Sequence, residues 1–366
     1  MSAADRRAAD SVGGAVATAS HADNPARPPV LVVTNMWPGA ADPSFGVFVA
    51  EQVAALRAMG QPVAVCFIDG RAGRLNYLWG IWRIRQALRR GLPAADGRAS
   101  ARPFGLVHAH YVLSGVAALL AGARRPDRPL VVTHHGIEVF EGWQAPLARV
   151  VSRLADRSLV ISPAMAARLE LDATAVLPCG IDLQRFRPRD RTAACRELGL
   201  DEARRRIAWV GADRPEKRLA LARQAASLVA ARRPDVDLHV VSGLPPEAVP
   251  VHLAACDVLL VSSTREGGPL VVKEALAMQL PVVSTAVGDV AALLAGLPGC
   301  AVVDGAEERN LAAGLVRALD QDLDLRPGPA ARERVRPYGQ ERITARLLAV
   351  YDGLLAVADR DEGATT

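Results

Sequence analysis

The sequence lacks the features that mark several familiar protein classes. It has no apolar run of the roughly 18–20 residues that a membrane-spanning helix needs. Its five cysteines are scattered without a CxxC pair, so neither a disulfide framework nor a structural zinc site is expected. Neither a GxGxxG nor a Walker A loop follows a predicted strand, which removes most of the support for dinucleotide binding and for P-loop nucleotide binding.

Lysine is also nearly absent. Of 44 basic residues, only Lys217 and Lys273 are lysine, and 39 acidic residues leave a net charge of +5. Because the chain otherwise uses arginine wherever it needs positive charge, a lysine suggests a place where the planar guanidinium does not fit. Chance explains two lysines equally well.

The length of 366 residues exceeds the roughly 250–300 at which a single hydrophobic core stops growing, so we expect two domains. Residues 1–28 are rich in Ala and Arg and carry no apolar segment of the kind found in a signal peptide. We therefore expect a disordered N-terminal tail there. Together with the scattered cysteines, this composition predicts a cytoplasmic protein.

Short apolar runs alternate with helix-like stretches along nearly the whole chain. Most runs are continuously apolar, which is typical of strands buried on both faces of a parallel sheet. With helical segments between them, they predict an α/β protein of two doubly wound domains. The eleven predicted strands are 29–35, 62–68, 106–110, 129–135, 158–162, 175–179, 206–211, 237–243, 257–263, 281–288 and 300–305.

The predicted domain boundary lies in GIDLQRFRPRD (180–190), where this alternation pauses. The N-terminal domain then covers 29–185 and the C-terminal domain covers 186–340. A last amphipathic segment, 341–358, predicts a terminal helix. Ligands of such sheets bind beyond the carboxyl ends of the strands, so the loops that follow strands are where chemistry is expected.

The segment 263–289 carries the strongest indication of a binding site. A Gly-Gly-Pro turn places Pro269 at the first position of a predicted helix that is apolar all round except for Lys273 and Glu274. Glu266 lies in the loop just before this helix, whose free amides and dipole attract anions. Two carboxylates beside an anion site suit a ligand with paired hydroxyls, such as a sugar or a ribose. A capped, salt-bridged helix of an ordinary α/β protein fits the same spacing.

The sequence E-G-G-P-L-V-V-K-E-A-L-A resembles the E-x7-E signature of retaining glycosyltransferases of family 4, and the resemblance extends from about residue 30 to residue 355. It is most similar to the subgroup that includes teichuronic-acid and other surface-polysaccharide glycosyltransferases. The resemblance implies the GT-B fold, in which two Rossmann-like domains face each other across a cleft and a C-terminal helix crosses back to the first domain. The other matching segments are NMWPGAADPSFGVFVAEQVAAL (35–56), LVHAHYVLSGVAALL (106–120), VVTHHGIEV (131–139), LPCGIDLQRFRP (177–188), WVGADRPEKRLALA (209–222) and LPVVSTAVGDV (280–290).

The resemblance implies a site for a nucleotide-sugar donor in the C-terminal domain. Glu266 would contact the hydroxyls of the donor sugar, and Glu274 would bind the ribose hydroxyls. The backbone around Gly268, Pro269 and Leu270 would approach the diphosphate, although Pro269 has no N–H to donate.

A second donor segment follows the first strand of the same domain. Lys217, in PEKR, matches the diphosphate-binding lysine of the family, and a compact ammonium suits the neutralisation of a departing diphosphate. Many family members carry an arginine directly after the glycine that ends this strand, whereas here Ala212 follows Gly211. Arg214 or Arg218 would have to supply the second charge, and the sequence leaves both open.

In the N-terminal domain, the resemblance assigns Gly46 to the loop that approaches the donor phosphate and the acceptor. His135 matches the active-site histidine near the transferred sugar, where we expect it to form a hydrogen bond rather than act as a general base. Glu138 lies nearby and could touch the acceptor. His108 and His110 project to one face of a strand and could share a metal ion. We instead expect ordinary packed or capping histidines, because no Asp, Glu or Cys follows at ligand spacing on the same loops and relatives with this fold need no metal.

The implied function is metal-independent transfer, with retention at the anomeric carbon, of a hexosyl or N-acetylhexosaminyl group to a growing surface glycan. The donor would be UDP- or GDP-linked, the acceptor a glycan or lipid-linked glycan, and neither a cofactor nor a nucleic acid is expected. His135, Glu266 and Lys217 would be the catalytic residues. Two alternatives stay open: a nucleotide-sugar epimerase or phosphorylase on the same fold, or a non-catalytic subunit that binds a sugar nucleotide.

One basic segment bears on location. Residues 71–90 contain six arginines and no acid, together with Leu75, Leu78, Trp79, Ile81 and Trp82. A helix of Arg with Trp and Leu is suited to lie on an anionic membrane, which predicts peripheral contact with the inner face of the cell membrane. A helix that packs its apolar side on a sheet and leaves its arginines in water explains the pattern equally well.

Overall fold

The computed structural model describes two compact units. The first unit comprises the chain up to Pro38, Phe45–Leu177 and the chain from Thr344 onward, and the second comprises Gly39–Ser44 and Pro178–Ile343. The predicted tail, 1–28, lies outside the described residues as far as residue 26. The described residues are 27–40, 42–93, 101–140, 142–172, 175–305, 307–320 and 327–363.

The first unit is built on a sheet of five parallel strands in the order β2-β1-β3-β4-β5. Its strands are almost entirely buried, as their continuous apolar runs predict. The strands are β1 (Val30–Thr34), β2 (Val63–Phe67), β3 (Leu106–His110), β4 (Leu130–His134) and β5 (Arg157–Val160). The helices between them are α1 (Val47–Ala58), α2 (Asn76–Arg90), α3 (Val112–Leu120), α4 (Ile137–Phe140), α5 (Gln144–Leu154) and α6 (Pro163–Leu169).

The second unit repeats this plan with strand order β7-β6-β8-β9-β10, again all parallel. Its strands are β6 (Arg205–Val210), β7 (Val236–Val241), β8 (Val258–Val261), β9 (Val282–Thr285) and β10 (Ala301–Val303). Its helices are α7 (Arg191–Glu197), α8 (Leu219–Ala230), α9 (Val249–Ala254), α10 (Leu270–Ala277), α11 (Val290–Leu294), α12 (Glu308–Asp320) and α13 (Gly328–Val335). A last helix, α14 (Gln340–Gly363), begins in the second unit and ends in the first.

The strand order determines where each sheet can bind a ligand. In both units the first strand lies between the second and the third, so the chain leaves it in one direction and later returns on its other side. Such a switch point opens a crevice beyond the carboxyl ends of the two central strands. In the second unit these strands are β6 and β8.

Ten of the eleven predicted strands are present, and the prediction over 175–179 is wrong. There Val176 forms a single parallel bridge with Val160 instead of a ladder. Pro178 has no N–H to donate, so the pairing cannot continue through it.

The predicted terminal helix is confirmed and is longer than 341–358. Ile343, Leu347 and Tyr351 are buried along one face of it, as their spacing requires. Within the described residues, no helix combines the length and the apolar character needed to cross a membrane.

Candidate functional site

Two loops meet at the switch point of the second unit. Lys217 ends a 3-10 turn (Pro215–Lys217) after β6, and Glu266 lies in the loop between β8 and α10. Lys217 Nζ and Glu266 Oε1 are 2.6 Å apart, and the Ser263 hydroxyl donates to the same oxygen at 2.8 Å. The two charged side chains are 25% and 16% exposed, so this ion pair is reachable by a ligand while most of its surface is covered.

Backbone contacts hold the two loops together. The Ser262 hydroxyl donates to the Lys217 carbonyl at 2.7 Å and accepts from the Trp209 indole N–H at 3.1 Å. The Thr264 N–H donates to the Glu216 carbonyl at 2.8 Å. Gly211, directly after β6, has a φ of 144°, a conformation that favours glycine. The position of Lys217 is therefore fixed by the loop that carries Glu266.

The two candidate arginines differ in their surroundings. The Arg218 Nε and Nη2 groups donate to the carbonyls of Ser262 and Ser263 at 2.6 and 3.0 Å, and burial lowers the pKa of this guanidinium. Its backbone has a φ of 52°, which is strained for a side chain of this size. Arg214 is exposed before the turn. Arg218 thus holds the loop after β8 in place, and Arg214 is the more exposed of the two arginines.

The helix predicted to start at Pro269 begins one residue later, with Pro269 as its cap. Lys273 is buried beneath this start, and its Nζ lies 2.8 Å from Asp289 Oδ2. A Cβ on Gly268 would lie 3.5 Å from that ammonium, so the charge sits directly under the loop. Glu274, on the same helix, is half-buried. Asp289 was not singled out in the sequence; the need of a buried lysine for an acid was the signal that could have found it.

The first unit carries four histidines on β3 and at the end of β4, and three of them are in contact with one another. His110 Nδ1 and His135 Nε2 are 2.9 Å apart, and the His135 ring packs on Phe48 at 4.7 Å. His108 lies 2.6 Å from the Tyr351 hydroxyl on α14 and 2.7 Å from the Thr133 hydroxyl. The fourth, His134, points to the other face of the sheet, as its 3.0 Å contact with Ser152 on α5 shows.

Burial determines the charge of this cluster. It lowers the pKa of His108 to about 3 and that of His134 to about 4, and it holds the pKa values of His110 and His135 well below the ordinary value. All four rings are therefore neutral at pH 7. His135 can offer or accept a hydrogen bond but carries no positive charge.

Glu138 is buried under the turn that carries His135. Its Oε1 accepts the backbone N–H of His135 at 2.6 Å, and the N–H groups of Gly136 and Glu138 itself also favour the ionised carboxylate. Burial outweighs these hydrogen bonds and raises the pKa of this carboxyl to about 7. The carboxylate therefore shapes the His135 loop from beneath.

Gly46 requires glycine for two reasons. Its φ is 73°, and a Cβ there would lie 2.3 Å from the Met36 carbonyl carbon and 2.5 Å from the Trp37 nitrogen. This close approach fixes the loop that leads from β1 into α1. Among the described residues, no group of three or more His, Cys, Asp or Glu is placed to hold a metal ion.

Residues 27–185 match Glycosyltransferase Family 4, and residues 243–321 match Glycosyl transferases group 1. The chain is 32% identical over 302 residues to a D-inositol 3-phosphate glycosyltransferase of Geodermatophilus obscurus, an alignment that covers 68% of this chain and 66% of that relative. A Thermobispora bispora protein of the same name is 31% identical over 304 residues, covering 68% of this chain and 70% of the relative. The chain belongs to glycosyltransferase family 4.

The family 4 chain is also similar to a putative teichuronic acid biosynthesis glycosyltransferase, TuaC of Bacillus subtilis. The two are 26% identical over 321 residues, which cover 72% of this chain and 82% of TuaC. The resemblance to this subgroup noted in the sequence is confirmed.

Solved structures confirm the GT-B fold of the family 4 chain. Sucrose-phosphate synthase from Thermosynechococcus elongatus matches with a TM-score of 0.67 at 19% identity, covering 90% of this chain and all of that one. Anabaena HepE in complex with UDP and glucose matches with a TM-score of 0.66 at 16% identity, covering 89% of this chain and 99% of HepE.

Proposed function

We propose that this family 4 chain transfers a hexosyl or N-acetylhexosaminyl group from a nucleotide-diphosphate sugar to a growing, lipid-linked surface glycan at the inner face of the cell membrane. The observation that carries the proposal is the Lys217–Glu266 pair at the switch point of the second unit. In this pair, an ammonium that would bind a diphosphate lies beside a carboxylate that would bind sugar hydroxyls. The structures of HepE with UDP and with UDP-glucose support a nucleotide-sugar donor.

The proposed chemistry is stabilisation of the departing diphosphate. When the bond from the anomeric carbon to the diphosphate oxygen breaks, negative charge grows on that oxygen. Lys217, the exposed Arg214 and the free amides at the start of α10 supply positive potential. These charges can neutralise the diphosphate without a metal ion, which is the basis for proposing metal-independent transfer.

Retention is proposed because the first unit offers hydrogen bonds rather than a nucleophile. The neutral His135 keeps its Nδ1 atom buried and without a partner among the described residues, so this nitrogen is suited to bind a hydroxyl of the transferred sugar. The Glu138 carboxylate is engaged with backbone N–H groups. These two residues therefore favour a mechanism in which the acceptor attacks the anomeric carbon on the face that the diphosphate leaves. A mechanism through a covalent glycosyl-enzyme would need a free nucleophile.

The first test is binding of UDP and GDP to the purified chain in the presence of EDTA. A nucleotide at a hundred times its dissociation constant should add about 2.7 kcal/mol of stability, which a melting curve resolves. The Lys217→Met variant should bind about 10- to 100-fold more weakly, because hydrogen bonds to charged groups are worth about 1.5–3 kcal/mol. Arg232→Gln, which changes an exposed cation two residues after the end of α8, is the control and should bind like wild type.

The proposal fails if neither nucleotide stabilises the chain, or if Lys217→Met binds as tightly as wild type. If a nucleotide does bind, measuring turnover of the nucleotide sugar distinguishes a transferase from an epimerase and from a binding subunit. A transferase should release UDP or GDP from the nucleotide sugar only when an acceptor is present, whereas an epimerase would convert the donor alone. A binding subunit would bind the nucleotide and convert nothing.

A further inference from the structure

The exposed large apolar side chains of this protein are unevenly distributed. Of the eleven in the described residues, eight belong to three neighbouring helices of the first unit or to the residues that cap them. Three of the five tryptophans are among them, with exposures of 52–66%. The eight are Leu75, Leu78, Trp79, Trp82, Leu120, Trp143, Val150 and Leu154.

These helices, α2, α3 and α5, form one continuous layer on the sheet. The central helix, α3, packs against both α2 and α5. Gly115 of α3 permits a close approach, because a Cβ there would lie 2.8 Å from Val151 of α5. Arg85 of α2 donates to the Leu120 carbonyl at the end of α3 at 2.7 Å. We call the outer side of α2, α3 and α5 the three-helix surface.

The three-helix surface is basic as well as apolar. None of its helices contains Asp or Glu, while α2 carries four arginines and α5 carries two. Arg71 and Arg74 precede α2 and are exposed. Two acids border the surface. The exposed Asp69 accepts the backbone N–H of Arg71 at 3.2 Å, and the Glu170 carboxylate lies 3.7 Å from Arg153. Segment 71–90 alone exceeds the net charge of the whole chain.

The structure shows how residues 71–90 divide between the inside and the outside of the unit. Helix α2 does bury a face on the unit, through Gly80, Ile84 and Ala87. Trp79 and Trp82 are on the other side, with their rings edge to face at 5.8 Å. The tryptophans are therefore additional to the side that packs inward. They stand among arginines on a solvent-facing surface.

The three-helix surface reaches the edge of the sheet that carries His135. The Tyr77 hydroxyl of α2 accepts from Asn35, just after β1, at 2.9 Å, and Tyr111, just after β3, donates to Gln144 of α5 at 2.6 Å. The N-terminal ends of both helices, with Leu75, Trp79 and Trp143, thus lie at the carboxyl edge of the sheet. Whatever binds the three-helix surface is brought next to the His135 loop.

We propose that the three-helix surface binds an anionic lipid bilayer, with the indole and leucine side chains in the headgroup region and the arginines on lipid phosphates. Amphipathic aromatic rings and arginines favour this interface, and three helices that together carry six arginines and no Asp or Glu are complementary to a negative leaflet. This proposal adds a membrane-binding surface to the proposed function, and it rests on that function because a lipid-linked acceptor is the reason for the chain to bind a membrane. Binding to vesicles is measured without donor or acceptor, so the two proposals can fail separately.

Vesicle flotation tests the proposal on the full chain. Wild type should float with phosphatidylcholine vesicles that contain phosphatidylglycerol, should bind pure phosphatidylcholine far less, and should be released by salt.

The charge variant Arg74→Gln/Arg89→Gln/Arg90→Gln should partition onto the anionic vesicles roughly a hundredfold less than wild type, at about fivefold per arginine. The apolar variant Trp79→Ser/Trp82→Ser should lose at least tenfold and the blue shift of tryptophan fluorescence. Trp143→Ser should show a smaller loss, because α5 lies at the border of the surface.

Matched controls come from the second unit. Arg223→Gln/Arg232→Gln/Arg309→Gln and Leu228→Ser change exposed side chains of the same kinds and should float like wild type. The proposal is overturned if wild type stays unbound to anionic vesicles, or if both control sets lose binding equally. It is also overturned if light scattering shows a dimer that Trp79→Ser/Trp82→Ser converts to monomer, because the surface would then belong to a second copy of the chain.

Discussion

Glu138 shows how a single buried carboxyl can make stability depend on pH. Its folded-state pKa of about 7 lies above the ordinary value of 4.5, so between these values the folded chain holds a proton that the unfolded chain has lost. Folding stability should therefore fall as pH rises from about 4.5 to about 7 and level off above that range. The full effect is on the order of 3 kcal/mol.

Glu138→Gln should remove most of this dependence, because the amide keeps an oxygen for the His135 N–H and cannot ionise. Urea unfolding between pH 5 and pH 8 checks it, with the exposed Glu247→Gln as the control. The free energy of unfolding of the variant should rise relative to that of wild type as pH rises, and the variant should be the more stable protein at pH 8. Parallel curves for the two proteins would contradict the prediction.

At the scale of residues, the sequence could identify those that lie in a local motif. Lys217 and Glu266 were named from their segments, and the folded chain brings them into contact. Tyr351 could not be named as the partner of His108, because 243 residues separate them and only the return of α14 to the first unit brings them together. The hydrogen bonds from Arg218 to the carbonyls after β8 could not be predicted either, because those carbonyls lie 44 and 45 residues further along the chain.

At the scale of elements, the Lys273–Asp289 pair joins α10 to the loop before α11. The lysine side chain is 2% exposed, so water cannot replace Asp289 as the partner of its charge without a large cost in free energy. Lys273→Met should destabilise the second unit by about 3–5 kcal/mol, because it leaves the Asp289 carboxylate without its counter-charge. The double variant Lys273→Met/Asp289→Asn should recover a large part of that loss.

A thermal melt of the wild type, both single variants and the double variant forms the cycle that measures this coupling. Losses that simply add would mean that the pair contributes nothing as a pair. An equally stable Lys273→Met would mean that the site tolerates an uncompensated carboxylate, and the coupling between α10 and the loop would then have to come from apolar packing.

The elements themselves were largely predictable because buried parallel strands have a strong local pattern. Where that pattern lacked tertiary support, as at 175–179, it gave a strand that does not form. Helix α2 is the converse case. Its periodicity could not show that Ile84 packs inward while Trp82 stays outside, because both sides of the helix carry apolar residues.

At the scale of the whole molecule, the chain has two sheets with separate cores, and the residues proposed to bind the diphosphate and the ribose, apart from the Gly46 loop, belong to the second unit. The loops after β6 and β8 and the start of α10 belong to the second unit. A nucleotide bound there should slow amide exchange in segments 211–218 and 262–274, because it stabilises the closed state of these loops. When the nucleotide is present at a hundred times its dissociation constant, exchange should slow about a hundredfold at those amides that can exchange only after the nucleotide has left.

The amides of β1–β5 should exchange at unchanged rates, since their hydrogen bonds lie within the first unit. Hydrogen exchange with UDP or GDP, whichever stabilises the chain, measures this directly, and Lys217→Met serves as the control in which protection is lost. If protection instead covered the His135 turn with 211–218 unaffected, the nucleotide would bind the first unit. The roles proposed for Lys217 and Glu266 would then pass to groups near the histidine cluster.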